Sequence, residues 1–402
     1  MLRIRTLLLF AMTMITLPVA AEWSGSIAYE YRYFQNEALY PGQHANNSSI
    51  ALQPEYHHQW DNGRQLISFT PYIREDENDD ARSQTDIREL SWLTASEAWE
   101  LRLGIRKVYW GVTESQHLVD IINQSDLAAN PDGEDKLGQP MINLALIGDY
   151  GTLDLFVLPY FRERTFPGEK GRFRQEPYVD TELDAIYQSD KKEKHIDYAL
   201  RWAKTLGAWD IGLSHFYGTS RDPRIDPLLS PRLNSKGQPV LVPLYDLIHQ
   251  TGLDIQATID SWLLKLEYIH RSSDLESYAA ATAGLEYTFY GIFSTTADFG
   301  IVLEYMHDDR DKMATTPFEN DVMLGLRFAF NDTQSTDALI GVIKDADKDT
   351  TIYSIEASRR LGDAWKVNLE ARFYNEIDKT DPLLYYSVRQ DDYIQLELVY
   401  YF

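Results

Sequence analysis

The side chains best suited to do chemistry are charged groups within and just before a polar segment at residues 107–126. Acidic and basic groups that face each other in a confined, water-filled space create a transverse electric field, which orders small polar solutes and selects ions. For each residue taken alone, the alternative is an ordinary ion pair across a polar interior. Six residues are candidates for such a constriction: Glu100, Arg102, Arg106, Glu114, Asp120 and Asp126.

Catalytic and metal-binding patterns are not found. Neither His-x-x-x-His nor Gly-x-Ser-x-Gly occurs, and the chain has no Cys. The segment Asp345–Asp349, with Glu356 eleven residues after Asp345, has the acidic spacing of a calcium loop, but Thr350 stands where that loop needs glycine. We therefore expect no enzyme activity, no cofactor and no metal site. A hydrolytic site at His307-Asp308-Asp309 is a weaker alternative.

The elements that must position these charges show a repeated alternation of apolar and polar residues. Residues 27–34, 99–106 and 365–373 each place apolar side chains on one face and mostly polar ones on the other. This period of two indicates β-strands. Several strands are longer than the five or six residues usual in a sandwich, and that length favours a barrel.

The connections between strands alternate between short turns and long polar loops. Asp61-Asn62-Gly63 and Leu361-Gly362-Asp363 are typical short turns, whereas residues 111–138, 162–194 and 221–250 are long. Transmembrane barrels have this asymmetry, with long loops on the external side. The sequence predicts an all-β, single antiparallel up-and-down transmembrane barrel of about 18 strands, with 16 as the next choice.

Tryptophan positions support this arrangement independently. Seven of the nine lie at one inferred rim, where amphipathic rings prefer the membrane interface. Five open a strand after a short turn or the mature N-terminus, and two close one. They are Trp23, Trp60, Trp99, Trp202, Trp209, Trp262 and Trp365.

Both ends of the chain indicate export. Arg3 and Arg5 precede the apolar run Leu7–Leu17, and Val19-Ala20-Ala21 has the small residues of a cleavage site. Residues 1–21 are thus predicted to be a signal peptide and residues 22–402 the barrel. The last strand alternates and ends on Phe402. The net charge of −24 argues against a nucleic-acid partner.

The third external loop, residues 111–138, is expected to fold toward the lumen. Leu118, Val119, Ile121 and Ile122 are too apolar for a solvated loop, and a short helix would set them against the inner wall. Glu114, Asp120 and Asp126 would then face the pore.

A family resemblance appears in the same region. An arginine-bearing strand runs into Trp110-Gly111, a polar stretch and an Asn/Asp-containing turn, followed by residues 133–141. This segment is similar to a family of uncharacterised porin-like outer-membrane proteins of proteobacteria, and the likeness extends loosely over residues 321–332 and 361–373. The resemblance implies a barrel in the outer membrane of a Gram-negative cell. It implies no agreed substrate and transfers no binding residue.

These observations predict a porin-like channel for passive passage of small hydrophilic solutes. The expected partners are outer-membrane lipid and lipopolysaccharide, the outer-membrane assembly machinery that recognises an aromatic C-terminal strand, and the solutes themselves. The alternative is a non-conducting barrel that acts as a binding or assembly component for a surface polymer or lipid partner. Conductance in a planar bilayer separates the two.

Overall fold

A computed structural model describes residues 21–226, 228–311, 314–316 and 318–402. The predicted signal peptide lies outside this range, apart from Ala21. Eighteen strands form one sheet: β1 (Ala21–Phe34), β2 (Asn46–Trp60), β3 (Gln65–Asp76), β4 (Gln84–Ala95), β5 (Trp99–Arg106), β6 (Gln139–Gly148), β7 (Gly151–Leu158), β9 (Asp197–Leu206), β10 (Trp209–Thr219), β14 (Leu247–Ile259), β15 (Trp262–Ser272), β16 (Ser277–Phe289), β17 (Asp298–Asp308), β18 (Asn320–Ala329), β19 (Asp337–Asp345), β20 (Thr351–Leu361), β21 (Trp365–Asn375) and β22 (Tyr393–Tyr401).

The remaining elements are short and belong to the loops. They are β8 (Ile186–Tyr187), β11 (Pro231–Leu233), β12 (Pro239–Leu241), β13 (Leu244–Tyr245), two 3-10 turns (Lys192–Lys194 and Ile292–Ser294) and one α-helix, α1 (Leu383–Ser387). Within the described ranges, no helix combines the length and the apolar character needed to cross a membrane.

The sheet closes on itself. Each barrel strand pairs antiparallel with its neighbours along the chain. The last strand, β22, pairs with the first from Tyr393 opposite Phe34 to Tyr401 opposite Ser26. Closure leaves no strand edge unpaired. The predicted antiparallel barrel of 18 strands is therefore confirmed.

Burial is inverted relative to a soluble protein. In β1, Glu30 and Arg32 are 5% and 3% exposed, whereas Tyr29 and Tyr31, which alternate with them, point outward. In β18, Leu324 is 45% exposed while Asp321 is 1% exposed. An outer surface of large apolar side chains around a polar interior is the arrangement that a lipid bilayer stabilises.

The two ends of the barrel differ in the length of their connections. Eight turns join strands at the end that holds both described chain termini, and most are short, such as residues 61–64 and 362–364. The nine loops at the other end include residues 107–138, 159–196 and 220–246. Two loops at this end are also short and contain only residues 273–276 and 346–350. We refer to these as the turn end and the loop end.

The tryptophan rim lies at the turn end. Trp23, Trp99, Trp209, Trp262 and Trp365 stand at or near the first residue of their strands, each between 38% and 63% exposed. Trp202 donates its indole N–H to the carbonyl of Tyr150 at 2.8 Å, which ties the ring to the neighbouring turn. The rings are thus placed at one interface of the apolar belt.

The inverted burial predicts that an added charge destabilises the protein on the outer face and has little effect on the inner face. Leu324→Lys places an ammonium on the lipid face near the middle of β18 and should lower the free energy of unfolding by about 2–4 kcal/mol. The control, Asn368→Lys, adds the same charge on the inner face beside Glu397 and should change stability little. Unfolding in urea with lipid vesicles measures both. Equal losses would contradict the assignment of the two faces.

Candidate functional site in the barrel interior

The interior is dominated by the third loop of the loop end, residues 107–138, here called loop 3. Loop 3 leaves β5, crosses the lumen and returns to β6. At its far point, Glu114 accepts a hydrogen bond from Arg327 of β18 at 2.7 Å. Since β5 is the fifth and β18 the fourteenth of the 18 barrel strands, this contact joins opposite sides of the barrel.

Loop 3 packs its apolar residues on the inner wall. Val119, Ile121 and Ile122 are at most 2% exposed, and Trp110 is 7% exposed. No helix forms within the segment, so the short helix expected from the sequence is absent and turns present these residues instead. They share one buried cluster with inward-facing residues of seven strands: Met141, Phe156, Leu158, Ala199, Phe216, Ile248, Ile269, Tyr278 and Ala280. This apolar contact holds loop 3 inside the barrel.

Wall carboxylates bind the backbone of loop 3. Glu267 of β15 is fully buried, and its Oε1 accepts hydrogen bonds from the amides of Val112 at 2.6 Å and Thr113 at 2.9 Å and from the Thr113 hydroxyl at 2.7 Å. Its Oε2 accepts the amide of Val119 at 3.1 Å. A carboxylate that accepts several N–H donors forms strong, charge-assisted bonds. Glu267 thus fastens the tip of loop 3.

A second carboxylate repeats this arrangement two strands further. Glu304 of β17 accepts the amides of Glu114 and Ser115, both at 2.8 Å, and the Ser115 hydroxyl at 2.6 Å. Between the two, Thr282 of β16 accepts the side-chain amide of Gln116 at 2.9 Å. Residues 112–119 are therefore held by three adjacent strands.

Arginines hold the returning half of loop 3 through its carbonyl groups. Arg82 is 3% exposed and donates to the carbonyl of Ala129 at 3.1 and 3.2 Å, while it pairs with Glu30 and Asp76. Arg221 donates to the carbonyl of Ile122 at 3.2 Å and pairs with Asp197. The wall strands thus offer acceptors to one half of loop 3, and two other loops of the loop end, which carry Arg82 and Arg221, offer donors to the other half.

Asp126 is one of the predicted constriction residues, and the structure places it away from the lumen. It is fully buried, and its oxygens accept from Arg88 and Gln84, each at 2.9 Å, and from Thr165 at 2.6 Å. Arg88 reaches it because a bulge in the pairing of β3 with β4 leaves Arg88 without a partner residue. These partners neutralise the charge of Asp126, which therefore holds loop 3 in place.

Asp120 has a similar internal role. Its Oδ1 accepts the backbone amides of Trp110 at 2.6 Å and Gly111 at 3.0 Å. Gly111 is required there, since a β-carbon would lie 2.4 Å from Nδ1 of His117. With this oxygen Asp120 closes a turn within loop 3, and its place in a constriction stays a prediction.

The other four predicted residues do lie on or near the lumen. Glu114, whose side chain is 25% exposed, contacts Arg327 at 2.7 Å and Lys265 at 3.4 Å. Glu100 and Arg102 form an ion pair on β5, with side chains 27% and 29% exposed. Arg106 donates to Asn143 at 2.9 Å. The acidic side chain of loop 3 thus meets basic side chains of the wall at Glu114. This contact lies on the opposite side of the barrel from Arg102 and Arg106.

His117 adds a titratable contact to the attachment of loop 3. Its Nε2 lies 3.2 Å from the carboxylate of Glu134, and its Nδ1 lies 3.8 Å from that of Glu267. Burial lowers the pKa of His117, but the two carboxylates raise it by more, to about 10. The imidazolium form is therefore the one that the folded loop stabilises at neutral pH.

The space left by loop 3 is a cavity of about 370 Å³, here called the passage. It lies between loop 3 and the wall from β18 to β21. Its lining includes charged side chains: Glu114, Asp132, Glu134, Lys265, Glu356 and Arg372. It also includes large apolar or aromatic ones: Phe173, Met323, Leu339, Ile343, Ile352 and Tyr385.

The anchoring role of Glu267 and Glu304 was not anticipated. Their alternation placed both on the inward face, but their partners lie about 150 to 190 residues away in sequence. No local pattern identifies such partners. The only sequence feature that indicates such an anchoring role is an inward-facing glutamate in a strand opposite an apolar loop.

Comparisons with known proteins add little to this geometry. No protein-family model matches the chain, and no curated protein matches its sequence. Three mutants of the Rhodopseudomonas blastica porin are similar at a low level, over 95% of this chain and 100% of theirs. Their identities are 12%, 13% and 13%, with TM-scores of 0.45, 0.46 and 0.45. Similarity at this level identifies no function.

Replacing the main anchor should release the tip of loop 3. Glu267→Gln removes the charge that four donors share, and hydrogen bonds to charged groups contribute about 1.5–3 kcal/mol. Amide hydrogen exchange at Val112, Thr113 and Val119 should accelerate roughly ten- to hundredfold. Glu397→Gln is the control, because Glu397 accepts from Asn368 on the same inner face and does not touch loop 3. Unchanged protection in Glu267→Gln would refute the anchoring role.

The attachment of loop 3 should also depend on pH. The pKa of His117 is about 10 in the folded protein against a usual value of 6.5, so its contribution is complete below about 6.5 and is lost as the pH rises through about 10. Protection factors of loop 3 amides should fall across that range. His117→Gln should already show reduced protection at pH 7, whereas His57→Gln in β2 should resemble wild type. Wild-type protection in His117→Gln at pH 7 would contradict this.

Proposed function

We propose that this protein is a porin-like channel that lets small hydrophilic solutes diffuse passively, with loop 3 as its constriction. The observation that carries the proposal is the combination of a closed 18-strand barrel with a loop fixed across its lumen, which leaves the passage along one wall. A polar lumen narrowed by charged groups is how channels of this architecture select solutes.

The outer membrane of a Gram-negative cell is the proposed location. The outward apolar side chains and the tryptophans of the turn end fit a bilayer, and the loop end is the external side. The loops are expected to meet lipopolysaccharide. The β22 strand, which ends at Tyr401 before Phe402, is the proposed signal for the assembly machinery. A leader at residues 1–21 fits this route.

Selectivity should depend on charges that line open space. Glu114 with Lys265, and Arg372 with Asp132 at 3.1 Å and Glu356 at 3.4 Å, form two mixed clusters on the passage. Glu100 and Arg102 add a pair on the opposite wall. Because both signs are present, we propose selection by orientation of dipolar solutes more than by net charge.

The apolar lining of the passage indicates which solutes it favours. Leu339, Ile343 and Ile352 line it, and such side chains are unusual in a polar lumen and favour contact with an apolar group of the solute. Solutes that combine polar groups with a small apolar part should therefore cross faster than simple sugars of equal size. We propose a non-enzymatic role, because the buried titratable groups around loop 3 are engaged in holding it.

A cysteine introduced into the passage tests the route directly, because the natural chain has none. Ser354→Cys places a thiol on the passage, and a cationic methanethiosulfonate reagent should then lower single-channel conductance by roughly half or more, since it narrows the constriction. Ser358→Cys is the matched control, on the same face of β20 but outside the passage lining, and should respond less. Wild type should not respond.

The outcomes separate the candidate functions. Equal block of both variants would show that ions take another route through the barrel. Wild-type protein that never conducts in planar bilayers would reject the channel and favour a barrel that binds or assembles a surface partner.

A further inference from the structure

Three carboxylates gather at the loop end of the barrel, apart from loop 3. Glu319 precedes β18, Asp321 lies in β18, and Asp345 ends β19. They are 5%, 1% and 2% exposed, and one oxygen from each lies within 4.8 Å of the others. Asp321 and Asp345 are directly opposite in the strand register. Like charges in that position repel each other unless something lies between them.

The available positive charge does not balance this cluster. Lys348 is the one cation within ion-pair distance in the described ranges, and it contacts Glu319, lies 2.7 Å from Asp381 and lies 3.6 Å from Asp345. Among the described residues, four carboxylates therefore share one ammonium group, which leaves a formal excess of three negative charges. Asp381 is satisfied, because its second oxygen accepts from the Thr350 hydroxyl.

Unpartnered oxygens point to a missing ligand. Among the described residues, Oε2 of Glu319 and Oδ2 of Asp345 are buried and have no hydrogen-bond partner. Oδ1 of Asp345 is different, because it accepts the amides of Asp347 and Lys348 at 2.7 and 2.8 Å. The turn after β19 therefore holds Asp345 in place by one oxygen, while Oδ2 has no hydrogen bond and lies 3.6 Å from Nζ of Lys348. Buried anionic oxygens normally have a partner, and metal coordination is one way to supply it.

We propose that Glu319, Asp321 and Asp345 bind one calcium ion. Calcium prefers carboxylate oxygens at 2.3–2.6 Å, and two oxygens up to 4.8 Å apart can both contact an ion of that size placed between them. Magnesium needs shorter bonds of about 2.0–2.1 Å in a stricter geometry and keeps more of its water. The ion would reduce the excess charge from three to one, while Lys348 stays with Asp381.

The site would stiffen the external mouth of the barrel. It joins β18, β19 and the segment before β18, and Phe318, next to Glu319, lines the passage. This inference does not depend on conduction, since the three carboxylates, their charge imbalance and their buried oxygens without a hydrogen bond are present whatever the barrel transports. It revises the expectation of no metal site drawn from the sequence.

Calorimetric titration of the full-length protein in detergent, after treatment with a chelator, tests the proposal. Wild type should bind one calcium ion saturably, with a dissociation constant of roughly 10⁻⁴–10⁻³ M, as extracellular modules do, and calcium should raise its melting temperature. Asp321→Asn should weaken binding about tenfold or more. Asp347→Asn is the control in the same turn, because its carboxylate bonds Asn320 instead, and it should bind within about twofold of wild type.

Three results would overturn the proposal. Wild type that shows no saturable binding would mean that protonation neutralises the cluster. Equal loss in Asp321→Asn and Asp347→Asn would indicate diffuse binding to an acidic surface. Displacement of calcium by an equal concentration of magnesium would reject the assignment to calcium.

Discussion

The pairing of the first strand with the last is the interaction on which the rest of the structure depends. Hydrocarbon offers no hydrogen-bond partner, so every lipid-facing backbone amide must find one within the protein. The contact of β1 with β22, nine residue pairs long, meets this need and turns a sheet into a ring. Once the ring exists, alternate side chains must face inward, and a polar interior follows from the same alternation that makes the outside apolar.

The backbone of loop 3 also needs hydrogen-bond partners, but inside the barrel. A segment without regular structure that enters the lumen brings unpaired amides and carbonyls with it, and these need partners. The inner wall provides acceptors through Glu267 and Glu304, and two neighbouring loops provide donors through Arg82 and Arg221. The charged residues of the lumen are therefore divided between those that hold loop 3 and those that remain available to solutes.

Much of the fold could be predicted from the sequence because its determinants are local. Strand alternation, turn residues and the tryptophans at strand ends each act over a few positions, and together they predicted 18 strands and the position of loop 3 in the chain. The contacts of Asp126 could not be predicted, for the opposite reason. The role of Asp126 depends on Arg88, which a bulge redirects, and on Thr165 in another loop. From its charge and its proximity to an apolar stretch alone, an acidic residue that holds loop 3 in place cannot be distinguished from one that contacts solutes.

The sequence separation of the loop 3 contacts has a consequence for biogenesis. Loop 3 follows the fifth barrel strand, but its partners lie in β15, β17 and β18, between 148 and 213 residues later. Those partners reach the tip of loop 3 only when the far wall is in place. During assembly, loop 3 must therefore remain undocked until β15, β17 and β18 have formed. Docking of loop 3 is thus a late step, which can follow only when most of the barrel strands are in place.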